Sequence, residues 1–264
     1  MPVTTLFPRL RGINGKCLKM VSKVYGIVIK ESDAGETGKR ITAITKEHGK
    51  MLLSARGSKN IKSSILAATQ LFTYCEFSLF EGRGFYSITQ ADVLESFYGI
   101  RNDFERLAYG AYILELTDRA SFEELENNSA FELLLRTLVV LSSGKQEPRL
   151  TALIYIIRLL KEYGFMGDAS YCEGCGEKLD GSAYYSDLHD GIYCHRCAQN
   201  AQFKLSTGAL KAVRHISDSK LASLFSFNVS DEVLKELWNY ADLNRRAYFG
   251  DNYKTLEYIN NMKF

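Results

Sequence analysis

Two cysteine turns constrain this chain of 264 residues more than any other feature: Cys172-x-x-Cys175 and Cys194-x-x-Cys197, separated by 18 residues. Each turn aims two sulfurs at one place, so the pair can surround a single Zn²⁺ tetrahedrally. The spacing falls within the range of such sites. Four cysteine ligands leave no open position for water, so the expected ion is one structural Zn²⁺, not a catalytic one. Gly174 and Gly176 relieve the backbone where it must wrap the metal, and Tyr184-Tyr185 with Ile192-Tyr193 supply a short hairpin. His189 and His195 lie close by and are read as bystanders beside a full cysteine set. A redox dithiol pair is the competing account of the same motif.

The remaining cysteines, Cys17 and Cys75, stand alone, so the six do not form a disulfide framework. No apolar core of a secretory signal precedes them, and paired cysteines in a reducing cytoplasm usually mean metal. The longest apolar run, Ala152 to Ile157, is six residues. A bilayer needs about 18, so no membrane partner is expected. A hydrophobic content of 46% with 24% charged residues excludes a mainly disordered or collagen-like chain.

Around the cysteines the pattern changes twice. Residues 1–20 have no clear period and hold two of the three prolines, and they read as a poorly ordered leader or upstream extension. From Val24 to Ala91, β-branched and aromatic runs at 24–30, 40–45, 51–55, 71–80 and 84–90 alternate with glycine-rich turns. Five strands in so short a stretch suit a small barrel of the OB type. In the fourth run Cys75, Phe77 and Leu79 form the apolar face, and Phe72, Tyr74 and Phe80 lie opposite them.

After Asp92 the period becomes helical. Phe104, Leu107, Ala108, Ala111 and Leu114 form one stripe, and Phe131, Leu134, Leu135 and Leu138 form a second, with Ser129 and Glu132 spaced as a capping box. Leu153, Ile154, Ile157 and Leu160 form a third, entered through Pro148 and closed at Gly164. Further helices are expected at 206–217 and 230–248, capped by Ser206 and Ser230. The expected fold is α+β: a leader (1–20), an OB-type β-barrel (21–92), an α-helical domain (93–169 and 201–264) and an inserted Cys₄ zinc finger (170–200).

Net charge is only +2, from 33 basic and 31 acidic residues, but its distribution is uneven. Between Lys39 and Lys62 seven basic residues (Lys39, Arg40, Lys46, Lys50, Arg56, Lys59, Lys62) meet one acid, Glu47. Cations on a barrel neutralise phosphates and exposed rings stack bases, so this region is the candidate DNA-binding site, with Phe72 and Tyr74 as stacking residues alongside the seven cations. The competing account is that strand aromatics pack barrels and that the lysines are merely solvated. About five phosphate contacts would give a slope of log K against log salt near −3.5 on single strands. An enzyme is not indicated: the chain has no G-x-x-x-x-G-K-[ST], G-x-G-x-x-G, H-E-x-x-H or G-x-S-x-G motif.

Several blocks resemble the RecO family of bacterial recombination mediators. They are Val24-Tyr25-Gly26-Ile27-Val28-Ile29-Lys30, Gly35-Glu36-Thr37, Thr45-Lys46-Glu47-His48-Gly49-Lys50, Ala55-Arg56-Gly57-Ser58-Lys59, Gln90-Ala91-Asp92-Val93 and Leu107-Ala108-Tyr109. Tyr163-Gly164-Phe165 then leads into the cysteine turns. Where the family motif usually continues with an acid and a lysine, this chain has Gly38 and Lys39. The resemblance implies an OB barrel, a helical domain and a zinc module without enzymatic activity. It implies binding of single- and double-stranded DNA, ATP-independent annealing, and work with RecR to load RecA on DNA coated by single-strand-binding protein (SSB), in the RecF pathway. The SSB C-terminal tail is an implied partner, and the implied location is cytoplasmic and nucleoid-associated. The alternative function is a zinc-containing interaction scaffold that binds nucleic acid weakly. For such a scaffold Arg136, Arg158 and Lys161 are conceivable peptide contacts, although a solvated helix face explains them as well.

Overall fold

A computed structural model describes residues 21–60, 63, 65–82, 85–123, 125–186, 191–198 and 203–262. Lys62, His189 and the whole 1–20 stretch lie outside the described residues. The first five strands are β1 (Val21–Ala34), β2 (Gly38–Thr45), β3 (Gly49–Ala55), β4 (Tyr74–Glu81) and β5 (Tyr86–Glu95), with a one-turn helix α1 (Ile65–Ala68) between β3 and β4. They close into a barrel of order β1-β2-β3-β5-β4.

Barrel closure depends on β1. Its first half pairs antiparallel with β4 (Val24 with Phe77, Ile27 with Tyr74), and its second half pairs with β2 (Ser32 with Arg40). The register shifts between Val28 and Lys30. Such a bulge bends the strand and increases its twist, which lets one strand serve two neighbours. Every second residue then faces inward, and Val24, Val28, Ile41, Ala43, Leu53, Cys75, Phe77 and Leu79 fill the barrel. The alternation in β4 is the expected one, with Cys75, Phe77 and Leu79 fully buried.

The helical body consists of α2 (Tyr98–Arg101), α3 (Phe104–Ala120), α4 (Asn128–Ser143), α5 (Pro148–Glu162), α6 (Thr207–Asp218), α7 (Asp231–Phe249) and α8 (Lys254–Asn261). The longest apolar run in the sequence lies in α5. From Leu150 to Leu160 this helix is buried nearly all round, as a helix at the centre of a bundle must be. Ser206 and Ser230 cap α6 and α7 as expected, accepting from the N–H groups of Ala209 and Val233. The α4 cap differs from the expected Ser129–Glu132 box. Asn127 accepts from Ala130 N at 3.0 Å, and the helix begins at Asn128.

The stripe expected to bury α3 also divides. Ala108 and Leu114 are buried, while Phe104 and Leu107 are exposed at 57% and 36%. The buried face is formed by Tyr109, Tyr112, Ile113, Leu116 and Ala120. The helix has two apolar stripes, and the aromatic one faces the core. Between α5 and α6, β6 (Ala183–Ser186), β7 (Gly191–Tyr193) and β8 (Phe203–Leu205) form a small sheet of order β7-β6-β8. Its hairpin pairs Tyr184 with Tyr193 and Tyr185 with Ile192, matching the sequence expectation.

Phe72 requires a correction. As an expected base-stacking residue it should be exposed, but it is 1% exposed and belongs to the helical body's core together with Ile27, Ile29 and Ile44 from the barrel wall. Its backbone takes the left-handed conformation (φ 68°), and its N–H donates to Val28 O at 2.9 Å. The chain turns at Phe72, just before β4, and this directs the ring at α3, where Gly110 leaves room for it. Phe72 therefore holds the barrel against the helices.

Candidate nucleic-acid interface and cysteine centre

The seven expected barrel cations divide into distinct groups. Lys39 reaches Glu31 at 2.6 Å, Lys50 reaches Asp118 of α3 at 3.3 Å, and Lys59 reaches Asp33 at 3.0 Å. Lys50 also donates to the Asp118 carbonyl at 2.8 Å, tying β3 to α3. Arg40, Lys46 and Arg56 are exposed and form no ion pair with a described residue. Lys62 is outside the described residues. Tyr74 is half-buried, and its ring meets Phe131 of α4 edge-on with centroids 6.1 Å apart. Burial raises its phenol pKa. It belongs to the barrel–helix seam and not to a free stacking surface.

Arg40, Lys50 and Arg56 meet at a cleft of about 470 Å³ along β3, bordered by Leu52, Phe85, Tyr86 and Glu123. Arg40 of β2 lies opposite Ser54 of β3, while the intervening Ile41 and Leu53 point into the barrel. The alternation of β2 and β3 therefore presents an arginine outward beside the exposed Leu52. Sequence analysis missed Phe85. It falls within the fifth β run (84–90) and carries no motif that singles it out, yet its ring is 44% exposed at the cleft. Its place between strands four and five could have identified it, because in OB folds that loop and the strand 2–3 face bind oligonucleotides.

At the cysteine centre, the Sγ atoms of Cys172, Cys175, Cys194 and Cys197 all lie within 4.8 Å of one another. Those of Cys175 and Cys194 are 3.9 Å apart. A tetrahedron with Zn–S bonds of about 2.3 Å has S···S edges of about 3.8 Å, so the donor set suits zinc in kind, number and spacing. Two turns build it. Gly176 N donates to Cys172 O at 2.8 Å, and Gly176 takes the positive φ (71°) that lets the first turn fold back. Cys197 N donates to Cys194 O at 3.1 Å in the second. Cys194 N also points at Cys172 Sγ at 3.3 Å. Burial opposes ionisation of Cys194, but the N–H groups of Cys197 and Arg196 outweigh it and bring the thiol down to about 6. Neighbouring sulfurs push Cys197 up to about 12. His195 is not part of the cluster.

Of the three basic residues considered for a peptide contact, Arg158 has another role. It donates to the carbonyls of Ile216, Ser217 and Ser219 at 2.9–3.0 Å and closes the C-terminal end of α6.

Barrel, helical body and cysteine centre together define an OB-barrel protein carrying a helical domain with an inserted four-cysteine module. Comparison with known proteins gives the family. The model described as "Recombination protein O N terminal" matches residues 20–97, and "Recombination protein O C terminal" matches residues 101–257. The chain is 38% identical over 239 residues to the DNA repair protein RecO of Acetivibrio thermocellus, covering 90% of this chain and 95% of that one. It is 31% identical to the Bacillus subtilis RecO protein over 248 residues (92% and 96%), and 32% identical to that of Listeria monocytogenes over 244 residues (92% and 95%). The chain belongs to the RecO family of DNA repair proteins. No helix among the described residues is long and apolar enough to cross a membrane.

Proposed function

We propose that this RecO-family chain is a recombination mediator without enzymatic activity. It binds single- and double-stranded DNA through the barrel (21–92), anneals complementary strands without ATP, and acts with RecR to help load RecA on SSB-coated DNA, in the cytoplasm at the nucleoid. The observation that carries this reading is the β3 cleft, where Arg40 and Arg56, free of ion pairs to described residues, flank exposed Leu52 and Phe85. Fixed cations on one face hold two phosphate backbones at once and lower their mutual repulsion, which needs no nucleotide hydrolysis. The helical domain (93–169 and 201–264) supports the barrel from behind. The module at 170–200 holds one structural Zn²⁺ through Cys172, Cys175, Cys194 and Cys197, and its binding energy is folding energy.

A scaffold reading is favoured by one observation, the exposed stripe of Phe104 and Leu107, which with Tyr258 of α8 lines an apolar groove of about 380 Å³. The SSB tail is the partner that reading names. The test is fluorescence annealing of complementary oligonucleotides by purified protein without ATP, on bare and on SSB-coated strands. Annealing on both supports the mediator. Firm binding to the SSB tail without annealing supports the scaffold.

A further inference from the structure

The β3 cleft has a feature that phosphate binding does not use. On its outer side β3 pairs with β5 only at Leu53–Tyr86 and Ser54–Ser87, and three and four residues before Leu53 its backbone bridges to Glu123 at Lys50 and Gly49. Between these points Met51 and Leu52 have no strand partner on that side among the described residues. Successive residues of a strand point their N–H and C=O groups to opposite sides, so one of the two turns its backbone polar groups toward the cleft. Bordering that edge is an aromatic ring held in place by its own turn. Gly82 N donates to Phe85 O at 2.7 Å, and the Phe85 ring covers Gly82 so closely that a Cβ there would lie 2.3 Å from Cζ.

We propose that this cleft seats one unstacked nucleobase of a single strand, stacked on Phe85, with its edge toward the β3 backbone at Met51 and Leu52. The proposal rests on the DNA-binding reading above and names what that site recognises. The chemistry favours a base over a phosphate at the bottom of the cleft. Leu52 and Phe85 provide apolar area there, and the Glu123 carboxylate repels an anion but accepts from an N–H on a base's edge. Arg40 and Arg56, at the rim, meet the phosphates on either side of the seated base. A base in a duplex is stacked and paired on all these surfaces, so the cleft discriminates against duplex, and pairing with a complementary strand withdraws the base. Single strands are therefore held by rim and slot, and annealed product by the rim alone.

The experiment compares a thymidine oligonucleotide with one of equal length carrying abasic sites, so that the phosphates are the same, by anisotropy with the full chain at one salt concentration. One base–aromatic stack predicts about a 5- to 150-fold preference for the thymidine strand. Phe85→Ala removes the preference, so that the thymidine strand binds no better than the abasic one, while Phe85→Tyr retains it. Gly82→Ala keeps Phe85 but displaces its ring, and reduces the preference without altering the melting temperature appreciably. Equal binding of both strands by the unaltered protein overturns the proposal while leaving DNA binding standing, and so does a preference that survives both Phe85→Ala and Gly82→Ala. Binding of neither strand overturns the DNA-binding reading and the slot with it.

Discussion

The division among the barrel cations predicts a specific salt dependence. Each phosphate neutralised on a single strand contributes about 0.7 to the slope of log K against log salt. Lys39, Lys50 and Lys59 already face carboxylates at 2.6, 3.3 and 3.0 Å, so a phosphate must displace an existing partner to recruit them. Arg40, Lys46 and Arg56 have no such partner among the described residues, and they carry the release of counterions. Replacing these three by alanine should flatten the slope by about 2.1. Across a fourfold rise in salt the unaltered protein then loses about 18-fold more affinity than the triple variant does. The assay is an anisotropy titration against a single-stranded oligonucleotide at several salt concentrations. The companion variant, Lys39→Ala with Lys50→Ala and Lys59→Ala, should change the slope much less, because these half-buried lysines are already neutralised by carboxylates and their loss acts on the fold instead. The reasoning is refuted if the first variant keeps its slope, or if the second flattens it as much.

Further expectations concern what holds the molecule together. Phe72→Ala should cost about 3–5 kcal/mol of stability, as removal of a fully buried aromatic does, whereas Phe85→Ala should leave the denaturation midpoint nearly unchanged; equal losses would contradict the burial assignment. Cys172→Ser, or a strong chelator, should lower the melting temperature before it lowers DNA affinity, and a stable, soluble variant that has lost only DNA binding would place the metal in the interface. Arg158→Ala leaves three carbonyls at the end of α6 without their donor and should cost about 1.5–3 kcal/mol, read by chemical denaturation. Glu115 accepts from Thr255 N and Oγ1 at the start of α8. Burial would raise its carboxyl pKa, but those bonds and Arg119 outweigh burial and hold it below the ordinary 4.5. Because the folded value is the lower one, its contribution is present above about 4.5 and is lost as pH falls through the folded value. Protection of the α8 amides, taken against their intrinsic exchange rate at each pH, should therefore fall on acidification below about 4.5, and in Glu115→Gln it should be low at neutral pH as well.

Much of this architecture was legible in the sequence because it rests on local rules. The cysteine turns specify their own geometry, and the hairpin of Tyr184–Tyr185 with Ile192–Tyr193 follows from them. Strand alternation around Cys75, Phe77 and Leu79 identified the barrel interior, and Ser206 and Ser230 marked helix starts by their hydroxyls. Features that depend on which surface meets which were not legible. Phe72 and Tyr74 sit where β-alternation alone assigns an outer face, and nothing local says that α3 and α4 cover that face. Phe104 and Leu107 share the period of a buried stripe, but the helix has a second, aromatic stripe, and packing of Tyr109 on Trp238 of α7 and of Tyr112 on Tyr253 selected that one. The division of the lysines depends on carboxylates brought in by the fold: Asp118, the partner of Lys50, is 68 positions away in the chain.

The most direct test of the central claim, that DNA lies along the β3 cleft of the barrel, is photocrosslinking. A single-stranded oligonucleotide with photoreactive thymine analogues is irradiated with the full chain, and the attached peptides are mapped by mass spectrometry. The account predicts attachment at Phe85 and Tyr86 and at Met51–Leu52, lost on addition of salt and weakened in the Arg40→Ala, Arg56→Ala variant. Attachment confined to the helical domain or the cysteine module, with the barrel unmarked, would contradict it.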